Sequence, residues 1–476
     1  MRIAMLASEA APYVKTGGLG DVMQALPAEL SKIKGNEIVL FLPYYKKIKL
    51  DPSIKVEAVG SFTMELAWRE SYVGIFRLKS RRKKLQIYFI DNDYYFGARS
   101  TIYGDFDDGE RFTYFSKAAM AALYYLNFKP DILHCHDWQS AMGVVYCRAL
   151  YQAWCPNTKT IFTIHNVEYQ GWADSSFFET TLGLPEFFRG HMTFDGSINL
   201  MKGAITMADV VSTVSKTYSQ ELCYPQYAHR LDGVLRNATL TGITNGIDVG
   251  VYNPETDAAL RVNYSAADMS GKWENKRALR EEMGLRTDVD TPIMGMVTRL
   301  AGHKGIDLLC YIAQKLLQRD VQLVIVGTGE KQYECILSAL QKQYPGKVAV
   351  RLAFDPALAC RVYAGVDMYL MPSKSEPCGL SQLIAMRYGG VPIVSETGGL
   401  KDTVPNYDPE SKEGRGFVFS EYTGEEFLSA IDRAVALYYD DREEFNALAK
   451  RNMQTDFSWQ VPAGEYMKLY TELLSK

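Results

Sequence analysis

The sequence predicts an α/β protein of two doubly wound domains that face a deep cleft. Three observations predict it. Short apolar runs recur along the chain and alternate with stretches of helical periodicity. Several runs are apolar almost throughout, as strands of a parallel sheet covered on both faces are. A turn-rich break, Asn245-Gly246-Ile247-Asp248 and then Tyr252-Asn253-Pro254, interrupts the series, which afterwards restarts. Two such series make two Rossmann-like domains, expected over 1–245 and 246–456. Ligands of these sheets bind beyond the carboxyl ends of the strands, so the loops there are the places to look for chemistry.

The first strand is expected at 3–7. It is followed by Lys15-Thr16-Gly17-Gly18-Leu19-Gly20-Asp21 and then by a helix over 22–30, with Val22, Ala25, Leu26 and Leu30 on one face. Glycines between strand and helix leave backbone N–H groups and the positive end of a helix dipole facing an anion, and Lys15 adds a full charge. The alternative is a tight turn carrying a surface lysine. Further strands are expected at 37–43, 71–78, 85–90, 131–135, 160–164 and 209–214, and a helix over 111–125. The region 62–90 lacks a helical pattern and reads as an antiparallel meander or an outer hairpin. The second series has strands at 293–297, 322–326, 348–353, 368–371 and 392–395, with a helix over 308–317.

Four strand exits carry reactive residue types. His134-Cys135-His136-Asp137-Trp138 closes one strand. Its two histidines share a face and could ligate a metal, but no third ligand stands at a matching spacing, and packed, hydrogen-bonded histidines are the plainer reading. Asp137 and Trp138 suit a sugar, as a carboxylate for hydroxyls and an indole for a ring face. Thr163-Ile164-His165-Asn166 closes the next strand and could face the same pocket or be structural. Arg299 and Lys304, with His303 and Gly305, follow the first strand of the second series. They are good phosphate partners, or merely solvated loop cations. Ser373-Lys374-Ser375-Glu376-Pro377-Cys378-Gly379-Leu380-Ser381 runs into a helix whose start can hold an anion, with Glu376 either capping that helix or binding ligand hydroxyls. Thr397-Gly398-Gly399-Leu400 is another glycine-rich exit.

Composition bounds the rest. A chain of 476 residues, 47% hydrophobic, can bury sizeable cores. A formal charge of −4 argues against general affinity for nucleic acid or membrane. No apolar run approaches the roughly 20 residues of a membrane span. The opening residues Met1-Arg2-Ile3-Ala4-Met5-Leu6 enter a strand with no signal-peptide or transit pattern, and eight cysteines are scattered without CxxC spacing. Both features fit a cytoplasmic location.

In this order the motifs resemble the bacterial and plant glycogen and starch synthases, retaining glucosyltransferases of the two-domain GT-B fold. The resemblance runs nearly end to end. It also takes in Tyr169-Gln170-Gly171, Ala208-Asp209, Thr213-Val214-Ser215, the 243–248 hinge, and Phe457-Ser458-Trp459-Gln460. It implies transfer of glucose from a nucleotide sugar, ADP-glucose in this subfamily, to the non-reducing end of an α-1,4-glucan, without cofactor or metal. By motif, Lys15, Gly18, Arg299 and Lys304 would hold the donor diphosphate with the helix start at Leu380-Ser381, within a loop that includes Gly17 and Asp21. Asp137, His165, Asn245, Glu376, Cys378 and Gly379 would surround the donor glucose, and Phe354 would lie near the base, where many members have Tyr. Tyr252 replaces a usual Trp, and Ile384 stands where broader GT-B enzymes have a second Glu. In such proteins the last helix, here 457–476, completes the first domain.

The resemblance also implies a mechanism. Cations and a helix dipole stabilise the leaving diphosphate, and no carboxylate nucleophile emerges. Reaction on one face, with the leaving phosphate taking the acceptor's proton and the His165 carbonyl near the anomeric carbon, gives retention. Rival readings are a nucleotide oxidoreductase, whose G-x-G-x-x-G spacing the run 17–20 lacks; a phosphorylase, which needs a cofactor lysine and a longer chain; and a non-catalytic glucan-binding protein, which should have lost Lys15, Glu376 or the 299/304 pair. Use of UDP-glucose is the nearest alternative.

Overall fold

The computed structural model describes all 476 residues. The chain forms two compact units, Met1–Asn245 with Trp459–Lys476, and Gly246–Ser458.

The first unit is built on a nine-stranded sheet. From one edge its strands are Leu240–Gly242, Val210–Thr213, Lys159–Ile164, Ile132–His136, Arg2–Leu6, Glu37–Pro43 and Leu85–Asp91, all parallel. Arg69–Leu78 and Val56–Leu66 extend it antiparallel, so of the two readings of 62–90 the meander is the one present, with its last strand joining the parallel sheet. Burial follows exposure of the sheet: the central strand Arg2–Leu6 is buried along almost its whole length, whereas Val56–Leu66 alternates buried or half-buried with exposed residues. A small sheet of Trp172–Ala173, Ser197–Asn199 and Thr193–Phe194 lies outside the expected strands.

The chain crosses from one side of Arg2–Leu6 to the other between Glu37–Pro43 and Ile132–His136. That reversal opens a crevice at the carboxyl ends of Arg2–Leu6 and Ile132–His136. The first helix, expected over 22–30, spans Gly18–Lys32. It starts inside the glycine run because burial of Leu19 and Gly20 adds a turn that periodicity could not show. The final helix Gln460–Leu474 packs on this first helix and buries Tyr466 and Tyr470. The Tyr470 hydroxyl meets His134 Nδ1 at 2.8 Å, anchoring the end of the chain to the core of the first unit.

The second unit has a six-stranded parallel sheet ordered Val348–Arg351, Gln322–Val326, Ile293–Val297, Met368–Met371, Val391–Ser395 and Phe417–Phe419. Alternation along the strands divides its core. Met294, Met296, Leu323 and Ile325 face Leu309, Ile312, Ala430 and Ile431. Ile293, Val324 and Val326 face Leu279, Val362 and Leu383 on the other side. Each fully buried Leu, Ile or Val contributes roughly 1.5–3 kcal/mol relative to exposure. The order reverses between Ile293–Val297 and Met368–Met371, so the loops after these two strands stand side by side.

Candidate active site

In the second unit the strand reversal brings Lys304 to Glu376. Lys304 ends the short turn Gly302–Lys304, and its Nζ donates to Glu376 Oε2 at 2.7 Å. Ser373 Oγ donates to the same oxygen at 3.0 Å. The approach of the two loops needs Gly305: at φ +77°, a Cβ there would lie 2.0 Å from the Pro372 carbonyl oxygen. Thr298, Lys304, Ser373, Glu376, Gly379, Leu380 and Ser381 line one pocket at this point, floored by Met296, Leu370 and Met371. The helix start beside it, at Ser381–Arg387, carries no side-chain cap, so Glu376 is an ion-pair partner and not the cap that one reading of the sequence allowed. Gly398 packs against the Glu376 carbonyl, where a Cβ would fall 2.0 Å away. Cys378 is buried beside this pocket.

Besides Cys378, two residues nominated in this unit are not part of the lining. Arg299 is exposed on the loop after Ile293–Val297, and Phe354 is 78% exposed just ahead of the helix Pro356–Gly365. Ser373 has no role in the sequence reading although it stands in the quoted motif. A hydroxyl three residues before an acid is too common to mark it.

In the first unit the glycine loop differs from expectation in one respect. Its N–H groups are not all open to an anion, because Glu9, which the sequence reading passed over, takes two of them. The buried Glu9 carboxylate accepts the Thr16 N–H, the Gly17 N–H at 3.3 Å, the Thr16 hydroxyl at 2.7 Å and the Tyr103 hydroxyl at 2.7 Å. Ser8 Oγ meets the same Tyr103 hydroxyl at 2.7 Å. Lys15 Nζ donates to Asp21 Oδ1 at 2.7 Å, and Gly20 makes room for the lysine stem, a Cβ there lying 2.9 Å from Lys15 Cγ. Gly17 faces open space. The lysines nominated in both units are thus each oriented by a carboxylate.

At the second strand exit Asp137 holds φ +58°, ψ 173°, a sparsely populated region that costs of order 1–3 kcal/mol. Its Oδ1 accepts the His165 N–H at 2.7 Å and the Asn166 N–H at 3.4 Å, which ties two strand exits together. Burial, with a smaller push from the Glu9 charge, raises the Asp137 carboxyl to about 7 against these two N–H groups. The Trp138 indole is half-buried, edge-on to Phe112 at 5.4 Å, with Gly171 against its ring. His134 and His136 are fully buried, rings 4.0 Å apart. His134 bonds Tyr470 and, at 2.6 Å, Thr163 Oγ1; His136 Nδ1 meets His165 Nε2 at 3.0 Å. Burial pushes His134 and His165 down to about 3 and His136 well below its ordinary value, so all are neutral near pH 7. No three His, Cys, Asp or Glu side chains are grouped so as to hold a metal ion. Asn245, at the end of this unit, is buried with its Oδ1 unpartnered.

Comparison with known proteins adds to this geometry. Residues 2–237 match the family described as Starch synthase catalytic domain, and residues 280–452 match Glycosyl transferases group 1. The chain is 44% identical to a glycogen synthase of Alkaliphilus metalliredigens, covering 99% of this chain and 100% of that one. It is 42% identical to a glycogen synthase of Clostridium botulinum, covering 99% of each. Among solved structures it is similar to the catalytic domain of starch synthase IV from Arabidopsis thaliana bound to ADP and acarbose. The TM-score is 0.92 at 33% identity, covering 100% of this chain and 99% of that one. A sucrose-phosphate synthase from Thermosynechococcus elongatus, 19% identical over 100% of this chain and 99% of that one, shares the fold with a TM-score of 0.63.

Proposed function

The chain belongs to the glycogen and starch synthase family of GT-B glycosyltransferases, and from that premise we propose that it transfers glucose from ADP-glucose to the non-reducing end of an α-1,4-glucan, with retention and without a metal ion. The observation that carries the reading is the second unit's pocket, where a cation, a carboxylate and the start of a helix converge at the strand reversal. Breaking the anomeric C–O bond puts negative charge on the diphosphate and positive charge on the sugar ring. Lys304, Arg299 and the backbone at Leu380-Ser381 are the second unit's donors to the diphosphate, and preorganised charges of this kind stabilise a leaving group directly. Lys15 and Gly18 serve the phosphates from the first unit. Asp137, His165, Asn245, Glu376, Cys378 and Gly379 serve the glucose, and Phe354 the base. Glu376 has two tasks in this account: it aims Lys304 while accepting from sugar hydroxyls.

Retention follows from reaction on one face. No side-chain nucleophile is assigned; the leaving phosphate takes the acceptor's proton, and the His165 carbonyl lies by the anomeric carbon. The bound ADP named for the Arabidopsis structure supports the choice of base, and the acarbose named with it supports a glucan acceptor. A cytoplasmic location is part of the proposal; no helix is long and apolar enough to cross a membrane. The test is incubation of the protein with ADP-glucose and maltooligosaccharide, followed by proton NMR of the product. New α-1,4 anomeric signals are expected. Absence of transfer, or β signals, would overturn the proposal.

A further inference from the structure

His136 lies beneath His165 in the first unit, and nothing in the account above gives it a task. Its Nδ1 meets His165 Nε2 at 3.0 Å, and its own Nε2 is buried with no partner. Two neutral imidazoles sharing one hydrogen bond allow two arrangements. If His165 Nε2 carries the proton, His136 accepts at Nδ1 and must carry its own proton on Nε2, leaving a buried N–H with no acceptor. If His136 carries its proton on Nδ1 and donates, the orphaned Nε2 is only a lone pair. Orphaned buried N–H groups are rarer than under-used acceptors, so the second arrangement is favoured. A doubly protonated pair is excluded at neutral pH, since burial drives both rings far below their ordinary range.

We infer that His136 is a positioning residue that fixes His165 as the tautomer with its proton on Nδ1, so that His165 presents a neutral N–H donor at the strand exit. His165 is half-buried, with its backbone N–H held by Asp137 at 2.7 Å and its ring Nε2 by His136 at 3.0 Å. His134, its ring 4.0 Å away and inclined by 32°, limits movement of the His136 ring, and is itself held by Thr163 and Tyr470. A neutral N–H donor suits an uncharged oxygen such as a sugar hydroxyl better than a phosphate, which the cations take. Only this last step, the identity of the accepting oxygen, rests on the glucosyltransferase reading. The tautomer itself does not.

The experiment is long-range ¹H–¹⁵N correlation on ligand-free protein labelled at histidine. The chain has six histidines: single substitutions at His191, His229 and His303 identify three of the signals, and His134→Gln and His165→Gln separate the other three. His165 is expected to show a protonated Nδ1 and a bare Nε2, and His136 the same pattern. A protonated Nε2 on His165 overturns the inference. In His136→Phe, which keeps a ring but no donor, His165 should shift toward the Nε2–H form that imidazole prefers in water, and kcat/KM should fall roughly 3- to 10-fold, the scale of one neutral hydrogen bond. Retention of the Nδ1–H form in the folded variant removes the role of His136. Should His136→Phe not fold, the wild-type spectrum alone decides. Failure of the glucosyltransferase reading would look different: no transfer from any nucleotide glucose, with the tautomers as assigned.

Discussion

Breaking the Lys304–Glu376 pair should cost both stability and turnover, by separable amounts. The two charges are 2.7 Å apart with side chains 19% and 8% exposed, so the pair is neither a surface contact nor a dry one. Surface pairs contribute about 0.2–1 kcal/mol, whereas removing one partner of a buried pair costs about 3–5 kcal/mol. Lys304→Met leaves Glu376 nearly buried with only the Ser373 hydroxyl, and water at the mouth of the pocket recovers part of the loss, so about 2–3 kcal/mol is expected. Glu376→Gln leaves the more exposed Lys304 free to turn to solvent, and should cost about 1 kcal/mol. The double variant should then lose less than the sum, with a coupling of about 1–2 kcal/mol. Unfolding of a chain with two units is not two-state by default. The free energies are therefore best read from native-state hydrogen exchange in Ile293–Val297 and Met368–Met371. Turnover of Lys304→Met should fall roughly 10²–10³-fold and should not recover in the double variant, because the charge facing the diphosphate is still missing. A coupling under about 0.5 kcal/mol would refute the ion pair as the element that sets this pocket.

Four further outcomes follow. Glu9→Gln replaces an acceptor of two N–H and two O–H donors with a group that presents N–H to some of them, so the 15–21 loop should gain hydrogen-exchange rate and kcat/KM should fall at least 10-fold; unchanged exchange would remove Glu9 as the loop's anchor. Asp137 has a raised folded pKa, about 7, so protonation favours the folded state, and its stabilisation, full below the ordinary carboxyl range, is lost as pH rises through about 7. Its ionised oxygen is what holds the His165 N–H, so activity should instead fall as pH drops below about 7, and Asp137→Asn should abolish that limb; an identical pH profile in the variant counts against it. Tyr470→Phe leaves His134 Nδ1 unpaired and should destabilise the first unit by about 1–2 kcal/mol while sparing exchange in the second; equal effects in both would deny that the last helix belongs to the first. Transfer should survive EDTA; loss on chelation, restored by a divalent ion, would contradict a diphosphate held by lysine, arginine and backbone alone.

The parallel strands were legible because burial on both faces makes them apolar almost throughout, as 37–43, 322–326 and 368–371 are. The region 62–90 was legible only as non-helical, a meander or an outer hairpin, and the alternating burial of Val56–Leu66 belongs to the folded sheet. The site was legible where it sits at strand exits: Lys304, Glu376, Gly379, Leu380 and Ser381 do line one pocket. Partners were not legible. Glu9 reaches the loop seven and eight residues on, and Tyr470 reaches His134 across 336 residues. Neither has a periodic signature, because such pairs are set by how elements pack. The two-residue strands at Trp172–Ala173 and Thr193–Phe194 are too short for any pattern to register.

The central claim, transfer of glucose from ADP-glucose to an α-glucan, is tested most directly by one competition. The protein is given ADP-glucose and UDP-glucose in parallel, each labelled in the glucose, with glycogen as acceptor, and kcat/KM is measured for incorporation. A higher kcat/KM with ADP-glucose is predicted. An equal or higher value with UDP-glucose would contradict the assigned donor, and no incorporation from either would contradict the account as a whole.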